Sequence, residues 1–156
     1  MKLAFAFVGG HKEAWLVDLA EVYRKKLNFF CPTEVIRIRS SGKARNSFEQ
    51  KMAEETQDLL KAIKKDDVLV VCDKKGEPLS SRKFSGKMVK LFERGRPRVV
   101  VLVGGAFGFG PEVIARADWV WSLSPLTLNH HIAQALVLEQ SYRALAIWKN
   151  LPYHND

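Results

Sequence analysis

The sequence predicts an α/β fold, a mostly parallel sheet with helices on both faces, and three observations carry that reading. Short β-rich runs alternate with helical patterns along the whole chain, the order that sets parallel strands under crossover helices. Three of the runs, residues 3–8, 68–72 and 99–103, are almost continuously apolar, as strands buried on both faces are. At 156 residues the chain suits one domain with one core, and has no length for a second.

The opening Met1-Lys2-Leu3-Ala4-Phe5-Ala6-Phe7-Val8 pairs a lysine with an apolar stretch and so invites a signal-peptide reading. The stretch is short and no small-residue cleavage site follows it. It reads as a buried first strand, and the expected location is the cytoplasm. No apolar run reaches the roughly 18–20 residues that span a bilayer. Residues 13–26 place Trp15, Leu16, Leu19, Val22 and Tyr23 on one broad helical stripe. The run 34–39 alternates, which suits a strand near an edge.

Ser47 and Gln50 have the spacing of a capping box, in which each side chain satisfies the other's orphan backbone N–H. The helix they open runs through Met52, Thr56, Leu59, Leu60 and Ile63 to Lys64-Lys65, cations suited to the negative end of its dipole. Further helices are predicted over 81–93 and, with Pro111 in its first turn, over 111–117; strands over 68–72, 99–103 and 119–123 separate them. The last helix, 130–149, is apolar nearly all round, so it must be buried nearly all round. Either a partner subunit covers one side or the helix lies in a groove of its own fold; a homodimer is the favoured expectation.

Twenty-five basic and 17 acidic residues leave a net charge of +8. The excess suits a polyanionic partner, since each neutralised phosphate releases counterions, and equally an ordinary basic surface. Cys31 and Cys72 are too few and too far apart for a disulfide framework or zinc knuckle, and read as small buried hydrophobes.

Ligands of an open parallel sheet bind beyond the carboxyl ends of its strands. Three loops leave such ends with suitable residues: 72–80, the glycine-rich 104–110, and 122–128. The glycine loop lacks the G-x-G-x-x-G spacing and no Gly-Lys-Ser/Thr follows, so it is either a ligand-approaching backbone or a wide turn needing positive φ. His130 and His131 diverge by about 100° on a helix, which with no neighbouring carboxylate or cysteine cluster argues against a metal site. His11 reads as a polar loop residue. His154 is of interest only if the tail folds over a site.

The final thirty-four residues are more specific. Leu123-Ser124-Pro125-Leu126-Thr127-Leu128-Asn129-His130, Leu138-Glu139-Gln140-Ser141-Tyr142-Arg143-Ala144 and Asn150-Leu151-Pro152-Tyr153-His154 together resemble the signature of the RlmH family. These are SPOUT-type bacterial methyltransferases acting on pseudouridine N3 of 23S ribosomal RNA. The likeness continues upstream through Gly104-Gly105 and Asp73-Lys74-Lys75-Gly76-Glu77-Pro78 and covers essentially the whole chain.

The resemblance implies a SPOUT fold with a C-terminal trefoil knot, a homodimer with the last helix in its interface, and an assembled ribosome as substrate. It implies S-adenosylmethionine as cofactor, contacted by Cys72, Gly104, Gly105 and the run Leu123, Ser124, Pro125, Leu126, Thr127 and Leu128. It makes His154 the candidate base or substrate orienter, with Tyr153 beside it, and gives Glu139 and Arg143 the task of holding the dimer or the tail. Lys74, Lys75, Arg82 and Lys87 become candidate phosphate contacts. Three departures from the pattern stand out: Ala106-Phe107 where the family has Pro and an acidic residue, Asn129 where it has Pro, and Asn155 where it has a basic residue. They leave two rivals to the leading reading: a SPOUT enzyme with another RNA target, and a catalytically silent RNA- or ribosome-binding dimer.

Overall fold

The computed structural model describes residues 1–9, 13–39 and 47–155. In chain order these form β1 (Lys2–Val8), α1 (Ala14–Asn28), β2 (Thr33–Ile38), α2 (Phe48–Ala62), β3 (Val68–Pro78), α3 (Ser81–Phe92), β4 (Arg98–Val103), α4 (Pro111–Arg116), β5 (Trp119–Ser122) and α5 (His130–Trp148). The five strands pair in parallel in the order β2-β1-β4-β3-β5. The three continuously apolar runs are the three inner strands, and the alternating run 34–39 contributes β2, at an edge.

Side-chain alternation along β1 divides the core between the two faces. Leu3, Phe5 and Phe7 pack with α1, α3 and α5 through Leu27, Phe84, Met88 and Leu138. Ala4, Ala6 and Val8 pack with α2 and α4 through Leu59 and Val113. Smaller β1 residues thus face the two-helix side. The capping box forms as its spacing predicts: Gln50 N–H donates to Ser47 Oγ at 3.2 Å, and Ser47 N–H donates to Gln50 Oε1 at 2.8 Å.

One feature differs from expectation. The third strand does not end at Cys72; it continues to Pro78, and its register against β5 shifts so that Cys72 and Glu77 both face Trp121. Residues 73–76 make the excursion between them, and Gly76 crosses so close to β5 that a Cβ there would lie 2.7 Å from the carbonyl carbon and oxygen of Val120. Only glycine fits. As its apolar sequence requires, α5 is largely buried: α1 and α3 flank it and β4 lies beneath. Val137, Leu138, Ala144 and Leu145 are fully buried within the one chain, and the uncovered apolar residues are Ile132 and Trp148 near the helix ends. Its own fold therefore covers most of the circumference, as the groove alternative requires, and leaves apolar residues uncovered near both ends.

At the amino end of the sheet Arg98 joins several elements. Its Nε donates to Asp67 Oδ1 at 2.9 Å and its NH2 to Oδ2, while NH1 donates to Glu34 at 3.1 Å. The Asp67 side chain is 1% exposed, so this pair works where water screens little.

Candidate active site

Beyond the carboxyl ends of β4 and β5, beside the 73–76 excursion of β3, lies a cavity of about 510 Å³, lined by residues of the three stretches that the strand-end rule selects. Cys72, Gly104, Gly105, Leu123, Ser124, Leu126, Thr127 and Leu128 all stand on its wall; Pro125 does not. Asp73, Lys74, Ala106, Gly108, Phe109, Asn129 and His130 complete the lining.

Local chemistry sets each loop. Gly108, at φ +72, donates its N–H to Gly105 O at 3.2 Å and carries the positive-φ turn. Gly104 and Gly105 serve close packing instead: a Cβ on Gly104 would meet Phe109 Cζ at 2.9 Å, and one on Gly105 would meet Val8 Cγ1 at 3.0 Å. The wide-turn reading of the glycine loop thus describes Gly108. In the third loop Ser122 Oγ donates to Ser124 O at 3.2 Å, and Ser124 Oγ accepts from Leu126 N–H at 3.0 Å. Asn129 caps α5, its Oδ1 accepting from His131 N–H at 2.8 Å. The asparagine departure thus has a structural role.

The wall is mostly apolar and its thiol is neutral. Cys72 is only partly buried, not the fully buried hydrophobe expected, because its side chain borders the cavity. Desolvation, then the adjacent Asp73 carboxylate, push its thiol above the ordinary range, so it stays protonated at neutral pH. Burial, then His131, lower the His130 imidazole, with the Glu55 carboxylate pulling the other way. The two imidazole rings lie 4.0 Å apart, closer than ideal helical divergence suggests. Among the described residues no group of three or more metal-ligating side chains forms. His11 lies outside the described residues.

The tail forms a second constellation, away from the cavity. Asn150, at φ +53, ends α5 in a Schellman motif: its N–H donates to Ile147 O at 3.0 Å and Leu151 N–H to Ala146 O at 2.9 Å. The chain then turns back along the helix. Tyr153 OH donates to Glu139 Oε1 at 3.0 Å, and Arg143 grips the same oxygen through NH2 at 2.6 Å and Nε at 3.1 Å. Tyr142 packs edge-on against Tyr153 at 4.7 Å, and Tyr23 OH lies 3.4 Å from Tyr153 OH. Burial, then Tyr23 and Glu139, raise the Tyr153 phenol, which stays protonated at neutral pH. Arg143 NH1 stands 3.2 Å from His154 Nδ1. A guanidinium only donates, so in this contact Nδ1 is the acceptor.

Glu139 and Arg143 therefore hold the tail. Nine positions of α5, about 13 Å of helix, separate Glu139, where Tyr153 docks, from His130, and no tail residue lines the cavity. Of the candidate phosphate contacts, Lys87 is engaged with Glu77 at 2.7 Å, while Lys74 and Lys75 are exposed. The sequence reading passed over the Asn129 cap and the Asn150 turn, though an Asn before a helix and an Asn two residues ahead of a proline are visible signals.

Comparisons with known proteins agree with this geometry. The chain is 39% identical over 155 residues to a ribosomal RNA large subunit methyltransferase H from Bdellovibrio bacteriovorus, covering 99% of both chains. Proteins of the same name from Psychrobacter sp. and Hydrogenovibrio crunogenus are 35% and 33% identical, the alignments covering 98–100% of each chain. The structure of a probable methylase family protein from Haemophilus influenzae superposes with a TM-score of 0.52 at 12% identity, over 99% of this chain and 70% of that one, a likeness of fold. The family described as predicted SPOUT methyltransferase matches residues 1–154, and with a parallel sheet, a three-loop cavity and relatives aligned end to end, the chain belongs to the SPOUT methyltransferases.

Proposed function

We propose that this enzyme, working as one domain per chain in a homodimer, transfers the methyl group of S-adenosylmethionine to N3 of a pseudouridine in 23S ribosomal RNA, in cytoplasmic, assembled ribosomes. The observation that carries the reading is the end-to-end likeness to proteins named for large-subunit ribosomal RNA methylation.

The cavity suits the cofactor. Its volume falls within the range of small-molecule sites, and its walls are apolar loops broken by backbone and a few polar side chains. When bound, the cofactor supplies an electrophilic methyl carbon on a sulfonium. The residues in contact would be Cys72, Gly104, Gly105 and Leu123 to Leu128, with Pro125 acting through the loop's shape rather than the wall. Their task is placement, because alignment with the attacking nitrogen supplies much of the rate.

Pseudouridine N3 carries a proton that must leave during or before attack. His154 is the proposed base or orienter, with Tyr153 stacking or hydrogen-bonding beside it. Its Nδ1 lone pair is held by Arg143 in the docked tail, so a base role requires release from Arg143, whereas an orienting role uses Nε2–H as it stands. The separation of tail and cavity along α5 supports a shared site, in which the tail of one protomer serves the cavity of its partner. The uncovered Ile132 and Trp148 would lie in such an interface.

A second reading, a SPOUT enzyme with another RNA target, draws support from Phe107. Its ring packs on Phe48, 5.3 Å between centroids, where the resemblance leads one to expect an acidic contact. The deciding experiment is transfer of labelled methyl from S-adenosylmethionine to whole ribosomes, separated subunits and free RNA from cells lacking the native modification. Label in one 23S pseudouridine, strongest with whole ribosomes, is the expected result. Cofactor binding without label points to the second reading, and loss of both leaves a silent RNA-binding dimer.

A further inference from the structure

Arg37 is a half-buried guanidinium that has no counter-charge among the described residues. It lies on β2 opposite Phe7, its guanidinium 5.0 Å from that ring's centroid, and its NH1 donates to Gln134 Oε1 at 2.8 Å. Both partners are neutral. Arg24, Arg98, Arg116 and Arg143 each reach a carboxylate, whereas among the described residues Arg37 forms no ion pair. Of the residues outside the described ones, 10–12 and 40–46 contain no Asp or Glu, and the single acid is Asp156 in the tail sequence. Burial lowers the guanidinium to about 10, so it stays charged at neutral pH. Holding a cation partly out of water without an opposing charge is costly, which singles the position out.

Its surroundings say what would offset that cost. Gln134 is 1% exposed and fixes the guanidinium by one nitrogen, leaving Nε and NH2 as a parallel donor pair, the arrangement that takes an oxyanion bidentately. Gln134 stands one helical turn beyond His130, which lines the cavity, and Arg39 stands exposed two residues along the chain. We propose that Arg37 holds a backbone phosphate of the substrate RNA beside the mouth of the cavity. This rests on the RNA-methyltransferase reading above. The cofactor's carboxylate is the other oxyanion available, but Arg37 is not part of the cavity wall. Such a contact positions the RNA and carries no sequence information.

The test is binding to 70S ribosomes lacking the modification, titrated with salt, with cofactor affinity by calorimetry and methyl transfer measured on the same proteins. Removing one phosphate contact in Arg37→Gln is expected to weaken ribosome binding about fivefold or more at low salt. It should also flatten the plot of log affinity against log salt by about 0.7–0.9, the worth of one contact. Arg37→Lys retains the slope. Gln134→Glu sets a carboxylate against the guanidinium and is expected to flatten the slope with Arg37 intact, so the proposal stays decidable if Arg37→Gln fails to fold. Unchanged slopes in whichever of Arg37→Gln and Gln134→Glu fold overturn the assignment, as does a parallel fall in cofactor affinity, which would hand the contact to the cofactor's carboxylate. A wild-type protein that does not bind ribosomes also overturns it. If the wild type binds but methylates no ribosomal RNA, the functional reading fails while the slope comparison still decides Arg37.

Discussion

Two glycine-to-alanine substitutions in this chain carry opposite expected signs, and the difference can be worked from geometry. At Gly76 the new Cβ would stand 2.7 Å from the Val120 carbonyl group and 2.8 Å from the carbonyl carbon of Trp121. An ordinary contact begins near 3.4 Å, so β5 must retreat about 0.7 Å, and what it meets is backbone rather than a side chain able to turn away. Overpacking of this kind costs about 1–3 kcal/mol. At about 2.1 cal/mol/K per residue, the unfolding entropy of a 156-residue chain is roughly 0.33 kcal/mol/K, so Tm should fall by about 3–9 °C. Gly86 sits inside α3 with nothing within 4 Å of its Cβ position. There alanine should gain about 0.5–1 kcal/mol of helix propensity and raise Tm by about 1.5–3 °C. Calorimetry on both variants is the assay. A Gly76→Ala protein melting within 1 °C of wild type would show that the β3–β5 crossing is looser than described and refute the reasoning.

Asp67→Asn leaves Arg98 without its buried partner and should cost about 3 kcal/mol, with Glu34 limiting the loss; a loss under 1 kcal/mol in urea unfolding contradicts this. Burial works to raise the Asp67 carboxyl, but Arg98 and the Lys64 N–H together hold it below its ordinary 3.8. Its contribution is therefore full above that value and lost as pH falls through the folded one, and Asp67→Asn should lack this part of the acid limb. Cys72 should resist iodoacetamide at pH 8 until the chain unfolds, and rapid labelling of the native protein would show the thiol to be accessible and ionisable. His154→Ala should lower methyl transfer about 10²–10⁴-fold with Tm nearly unchanged; full turnover removes His154 from the chemistry.

The sheet was legible because its inner strands carry no polar face: continuous apolar runs admit few positions, and β1, β3 and β4 occupy them. Ser47 and Gln50 were legible for a local reason, since a capping box is decided within four residues. The excursion at 73–76 was not, because its cause is a backbone 44 residues away, Val120 beneath Gly76, and spacing says nothing of such an approach. Arg37 was hidden likewise: the pattern shows an alternating strand, and only the fold brings Gln134 to it, 97 residues on. Periodicity assigned the whole circumference of α5 to burial but could not divide it between α1, α3 and a second chain. The cavity wall was legible through the strand-end rule, while the distance from cavity to tail needed the length and course of α5.

The strand order also sets a timetable for synthesis. Leu3 pairs with Thr33 on one side and with Val99 on the other, so the first strand waits 96 residues for its second neighbour. At about 5–20 residues per second that is roughly 5–20 s during which one apolar edge of β1 emerges from the translating ribosome unpaired. The middle of the sheet closes only when β4 inserts, and β5 and α5 follow. A chain stalled before residue 99 holds only the β1–β2 pair, with β3 unjoined to it, so truncated products should go to chaperones and proteases instead of persisting as partial enzymes.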